Sequence, residues 1–336
     1  METVHMTLEQ VHETCMTVLQ KYGCDEPNAR AVADNITGAE RDHATSHGVF
    51  RLPGHVTSLK NGKVNGRARP TVEHLTPAAI RVHGDRGYTP LAFKTGRQPL
   101  IDAAREMGIA VLAITRTHHF AALWPETSSL AEEGLAALAV TSSPPYVAAA
   151  GGKSPFFGTN PMSFAWPRRE GPPMAFDQAS AAMARGEIMI HARDGKPVPE
   201  GAGIDADGNP TTDGNAILAG AQLPFGGYKG SAIALMIDLL AGPLIGEVYS
   251  AEAGRADNGD GMAATGGELI LAFDPRRLGG GDGYLDHAEK LFAEMYSQDG
   301  VRLPGDRRVA ARGRTPTEGV QIPKALYDTI QKLAAG

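Results

Sequence analysis

The sequence predicts an α/β protein in which a mixed sheet is covered by helices and joined to a smaller, mainly helical region. Two capped amphipathic helices open the chain, and from residue 79 short apolar runs alternate with helical patterns. No G-x-G-x-x-G follows a strand and opens a helix, so the sheet is not an ordinary Rossmann half.

Thr7-Leu8-Glu9-Gln10 reads as a capping box, since a threonine hydroxyl and a glutamine three residues on each satisfy an N–H that a first turn leaves open. Leu8, Val11, Cys15, Val18 and Leu19 follow at helical spacing, which predicts a helix over 7–21 ending near Gly23. Asp25, Glu26 and Pro27 start a second helix with the apolar stripe Ala29, Val32, Ala33, Ile36 and Ala39. A helical segment around His55 to Leu59 should close at Asn61-Gly62, before a proline- and glycine-punctuated connection through Pro70. Then AIRV, a helix over PLAFKTGRQPLIDAARE, IAVLAI, a helix around LWPETSSLAEE and LAALAVT alternate. MSFAW, MAFD and ELILAF add strands between glycine-rich loops, and further helices are expected at 229–241, 284–297 and 324–334. GDGMAATGG at 259–267 reads as a mobile loop, and GGGDG at 279–283 as a plain one, because the acidic helix after it would repel a phosphate.

The chain has 336 residues, 42% hydrophobic and 21% charged, enough for a substantial core and for two domains, or one large domain with a smaller companion. A formal net charge of −6 without a long lysine and arginine run makes nucleic acid an unexpected partner. The stretch METVHMTLEQ lacks a signal pattern and no apolar run reaches the ~20 residues of a membrane span, so the expectation is a cytoplasmic protein without a membrane partner. Cys15 and Cys24 read as reduced, structural thiols, because a disulfide there would staple little and a metal would lack further ligands.

Chemistry-bearing residues gather in six segments. In RDHATSHGVFRLPG, Arg41 to Gly54, His47 can exchange a proton, Ser46 can pass or orient it, and the Arg51 fork matches a carboxylate. THHFAALW, Thr117 to Trp124, follows IAVLAI directly, and the carboxyl ends of strands are where open α/β sheets bind cofactors. GGKSPFFGTNP offers backbone N–H groups with Thr159 and Asn160, and FDQASAAMARGE carries Asp177, Arg185 and Glu187, where a buried carboxylate would orient a histidine. PFGGYKG sets Lys229 after a glycine turn at the start of an apolar helix, a position suited to an anion. VRLPGDRR places Arg302, Arg307 and Arg308 around one turn, able to grip a ribose 2′-phosphate. Each segment also has a plain structural reading: His47 as a helix cap with Arg51 paired to Asp42, tight glycine turns, Asp177 as a cap, and solvated arginines.

Taken in order, DHATSHGVFRLPG, HHFAA, GGKSPFFGTNP, FDQASAAMARGE, IDADGNPTTD, LPFGGYKGSAIALMIDLLAGPLIG and RLPGDRR resemble the malate/L-lactate dehydrogenase family of the non-Rossmann type over nearly the whole chain. Within that family, HHFAALW followed by TSSPPYVAAAGGKSPFFGTNPMSFAWPR is most similar to the Δ1-piperideine-2-carboxylate/Δ1-pyrroline-2-carboxylate reductases. The resemblance implies an unusual NAD(P)-binding mixed sheet in an α/β domain over 77–309, and a mainly helical domain over 1–76 joined by 310–336. It implies a homodimer that reduces a cyclic imino acid to L-pipecolate or L-proline with NADPH, NADH being possible. Ser46 and His47 are then relay and proton donor, Glu187 holds the tautomer of the histidine and favours its charged form, and Arg51 holds the substrate carboxylate. Thr159, Ser180 and Ala181 lie near substrate in that reading. His118, His119, Phe120, Ala121, Ala122, Leu123, Asp177, Gln178, Ala179, Lys229, Arg302, Arg307 and Arg308 correspond to cofactor-contacting segments.

Where many relatives read Asp-Met-Ala-Thr-Ser, this chain reads Asp177-Gln178-Ala179-Ser180-Ala181, which alters the contacts expected near substrate. The same apparatus suits a 2-oxo acid, so a malate- or lactate-type 2-hydroxyacid dehydrogenase is the alternative. A metal-dependent hydrolase on His43, His47, His118 and His119 would need a ligand spacing that these residues lack, and no metal is expected. A non-catalytic ligand-binding protein is the remaining class, and nicotinamide binding separates it from an oxidoreductase.

Overall fold

The computed structural model describes residues 2–119, 121–257 and 265–335. They form two compact units: Met1–Ala139 with Ser163–Phe176 and Ile270–Gly336, and Val140–Met162 with Asp177–Leu269.

In the first unit the Thr7 hydroxyl accepts from Gln10 N at 3.1 Å while Gln10 Oε1 accepts from Thr7 N at 2.9 Å, starting the helix Leu8–Lys21 as the capping box predicts. Asp25 caps the helix Glu26–Arg41. The two bury Val11, Cys15, Val18 and Leu19 against Ala29, Val32, Ala33 and Ile36. Full burial of a large aliphatic side chain stabilises by roughly 1.5–3 kcal/mol, so this cluster is a substantial core in itself. Leu52 and Val56 of the helix Leu52–Lys60 join it, as do Ile322 and Ile330 of the strand Val320–Pro323 and the helix Lys324–Ala335. Antiparallel pairing of Thr3–Met6 with Val320–Pro323 fastens this C-terminal segment.

A seven-stranded sheet runs in the order Thr71–Thr76, Ala79–His83, Ile109–His118, Thr265–Phe273, Ala136–Thr141, Met162–Trp166, Met174–Gln178. It is mixed, as the alternation of runs predicts: Thr71–Thr76 is antiparallel to Ala79–His83, which is parallel to Ile109–His118. The helix Thr89–Met107 makes that parallel crossover, packing Leu100, Ile101 and Ala104 with Ile80, Val82, Leu112 and Ile114. Gly96 lets it lie close, since a Cβ there would come within 2.8 Å of Leu112 and Val82 side chains. Gly108, at φ 85, ends the helix in the left-handed conformation and turns the chain into the next strand.

The second unit holds a five-stranded sheet of short strands, ordered Pro210–Thr211, Gly203–Ile204, Ala221–Gln222, Val147–Ala148, Pro155–Phe157. Its helix Tyr228–Ala241 buries Ala234, Ile237, Asp238 and Ala241. The segment Tyr228–Ile245 is long and apolar enough to cross a membrane by length and composition, yet Ala234 packs with Val147, Phe157 and Ala181, and a buried carboxylate sits on the same helix face.

The helices and strands of the sequence reading recur within a few residues, and three differences have physical reasons. Thr71–Thr76 is a strand where a connection was expected, because an edge strand with only Val72 partly buried shows no apolar alternation. Strands of two or three residues in the second unit carry no periodicity. The units also follow other lines than a 1–76/77–309 division: Tyr88 sits in the helical core, Lys94 pairs with Asp34 at 2.6 Å, and Ala39 packs with Ala122 and Trp124. Of the loop expected at 259–267, residues 259–264 lie outside the described residues, and Thr265 to Gly267 begin the strand Thr265–Phe273.

Candidate active site

The helix Glu26–Arg41 ends at Asp42, and His43, at φ 55, turns the chain into two short 3-10 turns, Thr45–His47 and Val49–Arg51. That local geometry brings Ser46, His47 and Arg51 together. Ser46 Oγ lies 3.1 Å from His47 Nδ1, and Arg51 Nε donates to the Ser46 carbonyl at 2.7 Å, which anchors the guanidinium on the same loop. Beneath the loop, the buried Glu40 carboxylate accepts from Val49 N at 2.8 Å. Gly48 is required there, since a Cβ would lie 1.9 Å from Glu40 Oε1.

Burial, then the charge of Arg51 and that of His119, pushes His47 down to about 3. Burial and Arg51 likewise push His119 down to about 4 and His55 to about 3. Burial and the neighbouring guanidinium thus favour the neutral imidazole in the chain without substrate, against the charged form that the resemblance implies.

Trp124 meets His47 edge to face, with ring centroids 6.1 Å apart at 86°. Its Nε1 donates to Asp42 Oδ2 at 3.0 Å. Asp42 also accepts from Arg312 Nε at 2.9 Å and from Arg41 Nε at 2.8 Å; burial opposes its charge, but these bonds hold its pKa below the usual carboxylate range. Arg308 lies 4.9 Å over the Trp124 ring and donates to the Ala175 carbonyl at 2.6 Å. Arg302 and Arg307 are exposed on the same turn, which Asp306 braces by accepting from Leu303 N at 2.7 Å.

The other residues of HHFAALW divide by burial. His118 ends the strand Ile109–His118, buried, with its backbone N–H on the Gly87 carbonyl, while His119 and Ala121 are partly exposed. Ala122 and Leu123 bury their side chains in separate clusters, so any cofactor contact they make is through backbone. Phe120 lies outside the described residues.

In the second unit, Thr159, Ser180 and Ala181 come together. The Ser180 hydroxyl donates to the Asn160 carbonyl at 2.7 Å, Ser180 N donates to the Thr159 carbonyl at 2.7 Å, and Thr159 Oγ1 lies 3.0 Å from Ser143 Oγ. Asn160, buried at φ 36, fixes this loop: Nδ2 donates to the Ala234 carbonyl and Oδ1 accepts from Ser143 N and Ser250 Oγ. The Ser250 hydroxyl also lies 2.7 Å from Asp238 Oδ1, and burial raises Asp238 above the usual carboxylate range. Asp177 and Gln178 end the strand Met174–Gln178, and Ala179 packs beside Ala181. Glu187, expected as a buried carboxylate, is exposed on the helix Arg185–Arg193, because Gly186 and Ile188 take its buried face. Arg185 stacks 3.9 Å from the Tyr146 ring.

Lys229 is exposed in the first turn of the helix Tyr228–Ala241, behind Gly226 and Gly227 at φ 56 and 63. The N-cap is Gly227, which has no side chain to cap the helix, and its Cβ direction is open among the described residues. The first-turn N–H groups of Lys229, Gly230 and Ser231 already donate to the carbonyls of Gly226, Phe225 and Gly227, so the exposed Lys229 ammonium is the group here that suits a phosphate.

Sequence reading missed Glu40 and the Asp238–Ser250 pair. Glu40 was findable, since it falls four residues after Ile36 on the buried helix face. Ser250 and Asp238 gave no such signal, because they meet Asn160 only in the folded chain.

Residues 6–331 match the family model described as malate/L-lactate dehydrogenase, and the chain belongs to that family. It is 48% identical, over 98% of this chain and 99% of the relative, to a Δ1-pyrroline-2-carboxylate/Δ1-piperideine-2-carboxylate reductase of Pseudomonas aeruginosa. It is 49% identical, over 99% of both chains, to a Δ1-pyrroline-2-carboxylate reductase of Pseudomonas fluorescens. Among solved structures, Δ1-piperideine-2-carboxylate reductase from Pseudomonas syringae pvar. tomato superposes with a TM-score of 0.94 at 39% identity, over 98% of this chain and 100% of that one. The sulfolactate dehydrogenase of Methanocaldococcus jannaschii gives 0.88 at 28%, over 99% and 97%. Membership of this dehydrogenase family makes the chain an oxidoreductase and implies a nicotinamide cofactor.

Proposed function

We propose that the chain reduces a cyclic 2-imino acid, Δ1-piperideine-2-carboxylate or Δ1-pyrroline-2-carboxylate, to L-pipecolate or L-proline with NADPH. The observation that carries this is the Ser46–His47 pair, 3.1 Å apart, on the loop to which Arg51 is anchored. Relatives named for these two imines, at 48–49% identity over nearly the whole chain, support it. When bound, the nicotinamide would supply hydride to the imine carbon, and the exposed Lys229 ammonium would pair with the cofactor phosphates. Arg51 pairs with the substrate carboxylate and so fixes the imine carbon. His47, with Ser46 as relay, holds or returns the proton at the imine nitrogen. A carboxylate on Arg51 cancels part of the positive field that depresses His47, so the imidazole gains basicity when substrate is present. Thr159, Ser180 and Ala181 remain the proposed neighbours of substrate.

Initial rates with Δ1-piperideine-2-carboxylate, pyruvate and oxaloacetate test the reading. We expect kcat/KM on the imine to exceed that on either oxo acid by at least about tenfold, or about 1.4 kcal/mol of transition-state preference. A larger value on an oxo acid would make the chain a 2-hydroxyacid dehydrogenase.

NADPH is expected over NADH by about tenfold to a hundredfold, from the roughly 1.5–3 kcal/mol of one charge-assisted arginine–phosphate contact. Reversing Arg302, Arg307 and Arg308 to glutamate one at a time should show which of them makes the contact, and Arg308→Glu should also disturb the Trp124 stack. If the preference survives all three substitutions, this turn does not read the phosphate.

The proposed assembly is a homodimer, supported by the exposed apolar face of Tyr228, Leu235, Met236, Leu239 and Leu244. Sedimentation velocity should show a dimer that Leu239→Glu converts to monomer; an intact dimer in that variant would place the interface elsewhere.

A further inference from the structure

We infer that Asp42 and Trp124 are a positioning pair for His47: the carboxylate fixes the indole, and the indole fixes the imidazole. Two loops far apart in sequence meet in this contact, since Asp42 follows the helix Glu26–Arg41 and Trp124 starts the helix Trp124–Ala131. Asp42 is held from a third direction by Arg312, and its Oδ2 accepts from Trp124 Nε1 at 3.0 Å. Ala39 and Ala122 close on the indole, and Arg308 lies 4.9 Å over its ring. The indole is therefore restrained by packing, by a cation and by a directed hydrogen bond before it touches the histidine.

Its own contact with His47 is edge to face at 86°, on a ring already bonded at Nδ1 to Ser46. A hydrogen bond at one nitrogen leaves the plane of an imidazole free to rock about that bond. An aromatic partner held perpendicular removes the freedom and keeps water from the ring. A phenylalanine or tyrosine would fill much of the same space, but neither carries the indole N–H that ties the ring to Asp42.

The inference rests on the proposed role of His47, and a double-mutant cycle separates the two. Trp124→Phe in the otherwise unaltered chain should lower kcat for Δ1-piperideine-2-carboxylate about tenfold, with cofactor affinity unchanged, as small misplacements of reacting groups do. The acid limb of the kcat profile should rise by about one pH unit, because water readmitted to the ring eases its protonation. The charged and titratable groups that share this setting are Asp42, Arg41, Arg51, His119, Arg308 and Arg312. In a His47→Ala background, Trp124→Phe should change kcat by less than about twofold, since a group acting through His47 has nothing left to position. Trp124→Tyr carries the same expectations, so a folding failure of one variant leaves the other. Equal fractional losses in both backgrounds, or no loss with His47 present, would overturn the inference. A His47→Ala variant of undiminished kcat would instead overturn the proposed role of His47, and the positioning pair with it.

Discussion

Replacing His47 with alanine is expected to lower kcat for imine reduction by roughly 10²–10⁴-fold, the usual contribution of a positioned general acid or base, while leaving cofactor affinity nearly intact. The lost imidazole is the group proposed to act on a substrate proton, and Lys229, proposed for the cofactor phosphates, lies on another element, the helix Tyr228–Ala241. A loss smaller than about tenfold would assign the proton to another group. The pH profiles sharpen the test. In the free enzyme burial, Arg51 and His119 push His47 down to about 3, so kcat/KM should show no histidine limb near 6.5. In the substrate complex the carboxylate offsets the charge of Arg51, so any limb from His47 belongs to kcat and lies above about 3.

The residues proposed to carry chemistry were legible because proton transfer and carboxylate binding demand particular side chains, and Ser46, His47 and Arg51 sit within one short segment whose local turns bring them together. The sheet was legible where runs such as IAVLAI bury both faces, and silent where strands are two residues long or exposed at an edge. The ionisation of His47 could not be read in advance, because it depends on His119 and on desolvation, which exist only in the folded chain. The burial of Glu187 was misjudged for a complementary reason: its type suits an orienting acid, but Gly186 and Ile188 take the buried face of its helix. Trp124 stood in a singled-out motif without a role, since its partner Asp42 lies 82 residues away.

Glu40→Gln should raise stability at alkaline pH by removing a proton linkage that the fold imposes. Burial pushes Glu40 up to about 7 from the ordinary 4.5, although the Val49 N–H favours its anion. The folded protein therefore keeps a proton that the unfolded chain releases between those two values. The sign follows from that difference in bound protons: stability from this group is full below about 4.5, falls as pH rises, and is lost by about 7. At about 1.4 kcal/mol per pH unit, the loss amounts to at most about 3 kcal/mol. Glutamine keeps the length and an oxygen for Val49 N but takes up no proton, so the gap in stability between variant and parent should widen by about 2–3 kcal/mol from pH 5 to pH 8 in denaturant titrations. An unchanging gap would mean that Glu40 is ionised on both sides of neutrality, with its charge balanced inside the fold. The group also underlies the His47 loop, where Gly48 leaves no room for a side chain above the carboxylate. If the linkage holds, ionisation of Glu40 draws the Val49 N–H toward a full charge and tightens the turn that carries His47, at the expense of global stability.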